Sequence, residues 1–451
     1  MVRYIRTFLA AQNLNENRIL CYTDVVKLEI PRGMRDVEPA EFSALSFIRD
    51  KFFETATSFN FRLMDPSPLE LLSTLEAKSG ESISKEIYSF KDKGEREVAL
   101  RFDLTIGLTR YVALRRDLKM PAKLASFAGV WRYDEPQAGR YRYFHQWDVE
   151  VYGPFSQESD AEVIAFVSAF FKRLGLKVTI EVNDRQLIEQ YINKTLEITD
   201  SEKVLELFRA VDKVPKKGPN AVLQEYSGMV DPSKLKRLIE LSGVRGSVAE
   251  VAENADVRNL EAWARLSGLM ESLAARGVED VFVNLGIVRG LDYYSGIVFE
   301  AFEKGVKGGA LVGGGRYDRL TAAFGRNDIG ATGVAGGVER IALALQRQGV
   351  VAKGTVPLVY IAYAADEMKR HVLEIVSSLR NVGLAADYDL IGRALRKQLD
   401  DAAGKNAKAV VIVAPEEYAT GTVIVKILES GKEERYPLDR LHAGLLALLK
   451  A

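Results

Sequence analysis

Apolar and polar side chains alternate most clearly in the middle of the chain. Residues 125–133 are mainly apolar and predict one strand, and residues 141–151 predict a second. The second strand alternates aromatic or apolar side chains with Arg142, His145, Gln146, Asp148 and Glu150. Between them lies a turn-rich segment with Asp134, Pro136 and Gly139. Two aromatic-rich runs joined by Pro and Gly predict a β-hairpin. One face of this hairpin carries Arg132, Gln146 and Glu150, with Arg140 in the loop. Cations and a carboxylate on one strand face suit a ligand bearing both phosphate and amine groups. A solvated hairpin face has the same pattern.

Around the hairpin the period changes several times. Phe42, Leu45, Ile48, Phe52 and Phe53 recur at helical spacing after Pro39 and Glu41, which suit a first helical turn. Residues 61–64 read as a strand stopped by Pro66 and Pro68. Residues 98–105 read as a strand running into a helix. Asp103 and Thr105 would share one face of it, and Asp103 equally suits a cap on the helix at Ile106. A helix is predicted over 160–174, with an apolar stripe from Val163 to Leu174 and Gly175 at its end. A strand over 177–182 and a turn at Asn183 and Asp184 follow. Residues 185–278 are rich in Lys and Glu and predict short helices, with a loop at 214–220. A strand is predicted over 297–302. Gly313, Gly314 and Gly315 suit a phosphate-type loop or a hairpin turn. Residues 331–345 read as a Gly-rich strand entering a helix that carries Glu339 and Arg340.

From residue 357 strands and helices alternate. Strands are predicted over 358–363, 385–388, 409–414 and 422–428, and helices over 367–379, 393–403 and 438–450. This alternation predicts a mostly parallel sheet with helices on both faces. Arg393, Arg396, Lys397, Lys405 and Lys408 form one basic cluster that suits phosphates or a solvated helix face.

Composition narrows the picture. A chain of 451 residues has room for about three domains. Lys plus Arg and Asp plus Glu number 62 each, so nucleic acid would meet local patches rather than a global basic field. The one cysteine, Cys21, excludes an intrachain disulfide and a cysteine zinc cluster. The three histidines are widely spaced. No apolar run reaches about 18 residues, so no transmembrane helix is expected, and a reducing cytoplasm fits the cysteine usage.

Residues 139–151, GRYR followed by FHQWDVEV, resemble motif 2 of the histidyl-tRNA synthetases, class II aminoacyl-tRNA synthetases. Four further stretches agree in order. Residues 31–64 are similar to motif 1, a dimer-interface helix and strand. LRFDLT at 100–105 resembles the archaeal and eukaryotic form of the segment that binds the substrate's α-amino group. RGLDYYSG at 289–296 resembles the peptide that distinguishes this family. The segment ending GGVER at 340 resembles motif 3.

The resemblance implies an α+β catalytic domain built on an antiparallel sheet, over residues 29–350. Residues 185–278 would form a helical insertion, either a clamp on the tRNA acceptor stem or structural cover. Residues 356–451 would form a C-terminal α/β anticodon-binding domain. Residues 1–28 stay an extension of unknown role, and translation is expected to begin nearer Val26. The implied activity joins ATP and L-histidine into histidyl-adenylate and transfers histidine to the 3′ end of tRNA(His). Arg132 and Arg289 would be catalytic. Arg132, Arg140, Phe144 and Arg340 would hold ATP, which carries Mg2+, and no protein metal ligand is assigned. Asp103, Thr105, Gln146, Glu150, Arg289, Tyr293 and Tyr294 would hold histidine. A cytoplasmic homodimer is expected. The alternative is a non-catalytic relative, the regulatory subunit of ATP phosphoribosyltransferase. Such relatives usually lack the anticodon-binding domain and degrade the RGLDYY peptide, and both are intact here.

Overall fold

The structure is a computed structural model that describes residues 28–79, 86–135, 141–288, 293–306, 308–350 and 358–450. The expectations for residues 1–27, for Arg140, for residues 289–292 and for the linker at 351–355 lie outside the described residues. The chain divides into two compact units, a larger one containing residues 52–344 and a smaller one containing residues 345–451.

In the larger unit, the main sheet among the described residues has nine strands. Six consecutive strands are antiparallel: Ala122–Trp131, Tyr143–Gly153, Gly330–Gly337, Val312–Arg316, Ile297–Glu303 and Val178–Asp184. At one end Arg62–Leu63 adds in parallel to Ala122–Trp131. At the other, Val281–Asn284 runs parallel to Val178–Asp184, and Arg245–Gly246 closes the edge. The predicted hairpin is therefore real and sits in this sheet. Its two faces are chemically different because strand side chains alternate. On one face the fully buried Trp147 packs its ring against Phe52, Phe166 and Phe170. Burying each such ring contributes about 1.5–3 kcal/mol. Phe166 and Phe170 belong to the helix Gln157–Leu174. This helix has Glu158 and Asp160 in its first turn and Lys172 and Arg173 in its last, matching the helix dipole, and Gly175 ends it at φ 73°. The opposite face carries Gln146, Asp148 and Glu150.

Several local expectations change. The strand expected over 98–105 is Glu97–Leu100, and Thr105 opens the helix Thr105–Leu114. Asp103 therefore leaves the ladder, and its carboxylate Oδ1 accepts the Ile106 N–H at 3.1 Å. Asn183 and Asp184 are the last strand residues rather than a turn; Asp184 then caps the helix Arg185–Gln190 by accepting the Gln186 N–H at 2.9 Å. The loop expected at 214–220 is largely helical. Ser201–Lys217 runs through Pro215, Gly218 breaks it at φ 82°, and Pro219–Glu225 follows. Lys213 and Lys217 both reach Glu225, at 2.8 and 2.7 Å, which fastens the two helices together. Phe42 is 59% exposed, so the apolar stripe of Pro39–Ser58 starts at Leu45. The three glycines at 313–315 form neither a loop nor a turn but lie inside Val312–Arg316. A Cβ on Gly314 would meet the Gly333 carbonyl oxygen at 2.5 Å and the Phe299 ring at 2.6 Å.

In the smaller unit Leu358–Tyr363 is parallel to Ala385–Tyr388 and to Ala409–Val413. Thr422–Ile427 and Glu433–Pro437 then add antiparallel. The sheet is mixed rather than mostly parallel. The last strand escaped prediction because its EERYP sequence is mostly exposed and shows no alternation. Helices do cover both faces: Val359, Ile361 and Val411 pack with Val372, Val376 and Leu379, while Tyr360, Ala362 and Val410 pack with Ala402. Four of the five residues of the basic cluster form ion pairs. Arg393 binds Asp389 and Asp401, Lys405 binds Asp387 and Asp401, Lys397 faces Asp400, and Lys408 faces Glu429.

Candidate active site

The strand Tyr143–Gly153 sets Phe144, Gln146, Asp148 and Glu150 in a row on one face. The neighbouring strand offers almost no side chains opposite them. Gly337 pairs with Gln146, Ala335 with Asp148 and Gly333 with Glu150. In the next strand Gly313 and Gly315 continue the Asp148 and Glu150 rows. The result is a floor of backbone beside a ridge of polar groups. Space is the reason at Gly333, where a Cβ would lie 1.4 Å from Glu150 Oε2.

Hydrogen bonds join that ridge to two other segments. Arg132 Nε donates to the Phe102 carbonyl at 3.0 Å and Nη2 to Gln146 Oε1 at 3.1 Å. Its guanidinium carbon lies 5.1 Å from the Phe144 ring centroid. Gln146 Nε2 donates to Asp148 Oδ1 at 2.9 Å, and Thr105 Oγ1 donates to Asp148 Oδ2 at 3.0 Å. At the far end Tyr317 donates its hydroxyl to Glu150 Oε2. Burial, and then the Glu150 charge beside it, hold the Tyr317 hydroxyl well above its ordinary pKa, so it remains a donor. The same two causes raise Tyr152, whose hydroxyl sits 3.0 Å from Thr109 Oγ1. Tyr294 and Tyr317 share one buried apolar cluster, with the rings of Tyr293 and Tyr294 4.2 Å apart.

Of the expected site residues, the sheet brings together Arg132, Phe144, Gln146, Glu150 and Thr105. Asp103 lies two residues from Thr105, committed in part to its helix cap. Tyr294 joins through the Tyr317 cluster, and Tyr293 packs on it. Arg340 stands apart, in the first turn of Val338–Arg347, where Nη1 donates to the Ala310 carbonyl at 2.9 Å. Arg140 and Arg289 are outside the described residues.

Asp148, Tyr317 and Glu339 went unassigned from sequence. Asp148 was visible, since it continues the alternation of Gln146 and Glu150. Tyr317 gave no signal, because only the sheet brings it to Glu150, 167 residues away in sequence. Glu339 accepts the backbone N–H of His145 at 2.9 Å and lies 3.1 Å from its Nδ1, which ties the hairpin to the Arg340 helix. Below the floor, the buried Arg316 pairs with Asp160 at 3.0 Å and Asp318 at 3.2 Å. A polar cleft of about 340 Å3 has Tyr294 in its wall beside Arg185 and Arg319, away from the Gln146–Glu150 ridge.

A family profile described as histidyl-tRNA synthetase matches residues 33–341, which contain all of these segments. The chain belongs to the histidyl-tRNA synthetase family. A second profile, described as an anticodon binding domain, matches residues 356–448. A histidine–tRNA ligase of Pyrococcus furiosus is 34% identical over 91% of this chain and 97% of its own length. One from Thermococcus kodakarensis is 34% identical over 94% of this chain and its full length. Among solved structures, a histidyl-tRNA synthetase of Nostoc sp. PCC 7120 superposes with a TM-score of 0.83 at 24% identity, covering 94% of this chain and all of that one. At that identity the likeness shows the class II synthetase fold, a large sheet-based unit followed by the smaller C-terminal one.

Proposed function

We propose that the chain is a histidine–tRNA ligase and that its chemistry runs over the Gly-rich floor beside Gln146, Asp148 and Glu150. The observation that carries this is the unbroken line of hydrogen bonds from Arg132 through Gln146 and Asp148 to Thr105, with the Glu150–Tyr317 pair at the far end. A cation at one end, a polar cradle in the middle and a paired carboxylate at the other would complement the phosphate, the ammonium and the polar ring of an adenylated amino acid.

In the first step a histidine carboxylate oxygen attacks the α-phosphorus of ATP, and the bond to pyrophosphate breaks. The carboxylate is already ionised, so no protein base is needed; the requirement is to offset repulsion between two anions. Arg132 suits this task. Nε and one N–H of Nη2 are engaged, which leaves Nη1 and the second Nη2 hydrogen for the α-phosphate. Arg289 would bridge that phosphate and the carboxylate. Arg140 and Arg340 would hold the γ-phosphate, and Phe144 would stack on adenine. Asp103, Thr105 and Gln146 take the amino group. Glu150, with Tyr317 fixing one of its oxygens, and Tyr294, with Tyr293 behind it, meet the imidazole. In the second step a ribose hydroxyl at the tRNA 3′ end attacks the activated carbonyl, and AMP leaves. Mg2+ would come with the triphosphate and offset part of its charge.

The domain limits, 29–350 with its 185–278 insertion and 356–451 for the anticodon, remain part of this reading. So does a cytoplasmic homodimer. Leu63, Leu69 and Leu71, on short strands after the motif 1 helix, are 47%, 38% and 48% exposed, which suits a surface that a second copy covers. A monomer mass in light scattering would contradict it. Among the described residues no helix is long and apolar enough to cross a membrane.

Amino-acid-dependent ATP–pyrophosphate exchange across all twenty amino acids tests the proposal. Exchange with histidine alone is expected, and Arg289→Ala should abolish most of it while keeping ATP binding. Folded protein that exchanges with no amino acid would favour the regulatory-subunit reading instead.

A further inference from the structure

Gln and Thr are ambivalent: each side chain both donates and accepts. A site built from them recognises an ammonium only if something commits their protons elsewhere. Asp148 is placed to do so. It is fully buried, and Gln146 and Thr105 are 3% and 7% exposed. Its Oδ1 accepts the Gln146 amide N–H at 2.9 Å and its Oδ2 accepts the Thr105 hydroxyl at 3.0 Å. A carboxylate cannot donate, so both neighbours must turn their protons toward it. Arg132, which cannot accept, fixes the other end of the same amide by donating to Gln146 Oε1 at 3.1 Å. The orientation of Gln146 is thus set from both sides. What remains for a ligand is the second lone pair of Gln146 Oε1, the lone pairs of Thr105 Oγ1 and one amide hydrogen of Gln146, so acceptors outnumber the donor. Ser126 lies directly across the ladder from Asp148, on the same face, 1% exposed with its Oγ lacking a hydrogen-bond partner. A buried unpartnered hydroxyl is costly unless a ligand meets it.

We propose that Asp148 is the positioning residue that sets the hydrogen-bond polarity of the amino-group subsite, so that Gln146 and Thr105, beside Asp103, accept from a bound ammonium. The subsite thereby selects ligands with a protonated α-amine and rejects those offering an acceptor or a methylene there. This rests on histidine being the substrate.

The test compares two ligands of the full-length protein, L-histidine and 3-(imidazol-4-yl)propionate, which differ only in the α-amine. Their dissociation constants are measured by calorimetry in the natural chain and in Asp148→Asn. The ratio of the two is independent of the folded fraction, so a merely structural loss leaves it unchanged. The expected result is a ratio that falls by about 10- to 100-fold, the range of a lost hydrogen bond to a charged group, while propionate binding changes less than about threefold and the KM for ATP stays near its natural value. Equal weakening of both ligands would overturn the proposal. Should Asp148→Asn not fold, Asp148→Glu keeps the carboxylate but shifts both its oxygens; the same fall is expected, and an unchanged ratio overturns the idea. A natural chain that exchanges with histidine yet gains nothing from the amine overturns this inference alone. One that neither binds nor activates histidine overturns it together with the ligase reading.

Discussion

The two units of the chain both set a mixed sheet against helices, yet they treat its faces in opposite ways. The sheet of the smaller unit is apolar on both sides. Val359, Ile361, Val411 and Val425 fill one face and Tyr360, Ala362, Val410 and Ile412 the other, while Arg393, Lys405, Asp387 and Asp401 form ion pairs outside these clusters. The larger sheet is apolar on the Trp147 side, but the other side buries Gln146, Asp148 and Glu150 beside a floor of glycines. Buried polar groups cost stability unless they are paired. Their concentration on one face of one sheet therefore marks where chemistry, rather than packing, dictated the residues. Substitutions in the two sheets should accordingly fail in different ways.

The largest effect is expected where packing alone is at stake. Leu379 is fully buried in the smaller unit, and Leu379→Ala removes contacts that the cluster cannot re-form. A loss of about 2–5 kcal/mol is expected in thermal or denaturant unfolding. Histidine-dependent pyrophosphate exchange at 25 °C should stay unchanged. Loss of exchange in folded protein would erase the contrast between the units.

Gly333→Ala should do the reverse. The added methyl forces Glu150 Oε2 out of its place, and a displacement of about 1 Å costs on the order of 100-fold in kcat/KM. The loss should appear with histidine and spare ATP in protein that is still folded, although the methyl also meets the Val149 carbonyl oxygen at 2.7 Å and so lowers the unfolding midpoint as well. Glu150→Gln should likewise weaken histidine more than ATP. Equal losses for both substrates would count against Glu150 as the imidazole partner.

A third difference separates two carboxylates that both meet arginine. Burial pushes the Asp160 carboxyl up to about 6, against the pull of Arg316. Lys405 and Arg393 instead hold Asp401 down at about 2. Desolvation outweighs attraction in the first case and not in the second. The signs follow by linkage. Folded Asp160 holds its proton more tightly than the unfolded chain does, so its contribution is full below about pH 4 and is lost as the pH rises to about 6, a swing of about 3 kcal/mol. Asp401 has the opposite sign, with a contribution present above about pH 4 and lost as the pH falls toward 2, but solvent screening keeps it small. The stability difference between the natural chain and Asp160→Asn should therefore shift between pH 4 and 6 and be flat from pH 7 to 8. A pH-independent difference would mean that Arg316 keeps Asp160 an ordinary acid.

These contrasts also show what a reader of the sequence can reach. The hairpin, the helix ending at Gly175 and the Gly-rich strand entering the Arg340 helix were legible, because each has a period and a punctuating residue. Gln146 and Glu150 were legible by alternation. Gly313, Gly314 and Gly315 were misread because a glycine needed for close approach of strands looks the same as one needed for a turn. Tyr317 and Glu339 were hidden for another reason. Each acts through a partner more than 150 residues away, and only strand order creates those pairs. The basic cluster at 393–408 was legible as a run of cations but not as ion pairs, since Asp387, Asp389 and Asp401 come to it through the fold.

The smallest effect is expected there. Lys405 bridges Asp387 at 2.7 Å and Asp401 at 2.9 Å, an arrangement that looks structural. Lys405→Met removes both contacts, yet Asp401 keeps Arg393 at 2.8 Å and the Tyr360 hydroxyl at 3.0 Å. Its charge stays satisfied, and water replaces the ammonium at little cost because exposed ion pairs are worth little once side-chain entropy and screening are counted. The unfolding midpoint at pH 7 should not move measurably, and raising the salt concentration should not separate the variant from the natural chain. A clear drop would mean that charges at the rim of the smaller sheet hold it together much as valines hold its centre. Only the buried ridge of the larger unit would then remain as a place where polar residues answer to a ligand.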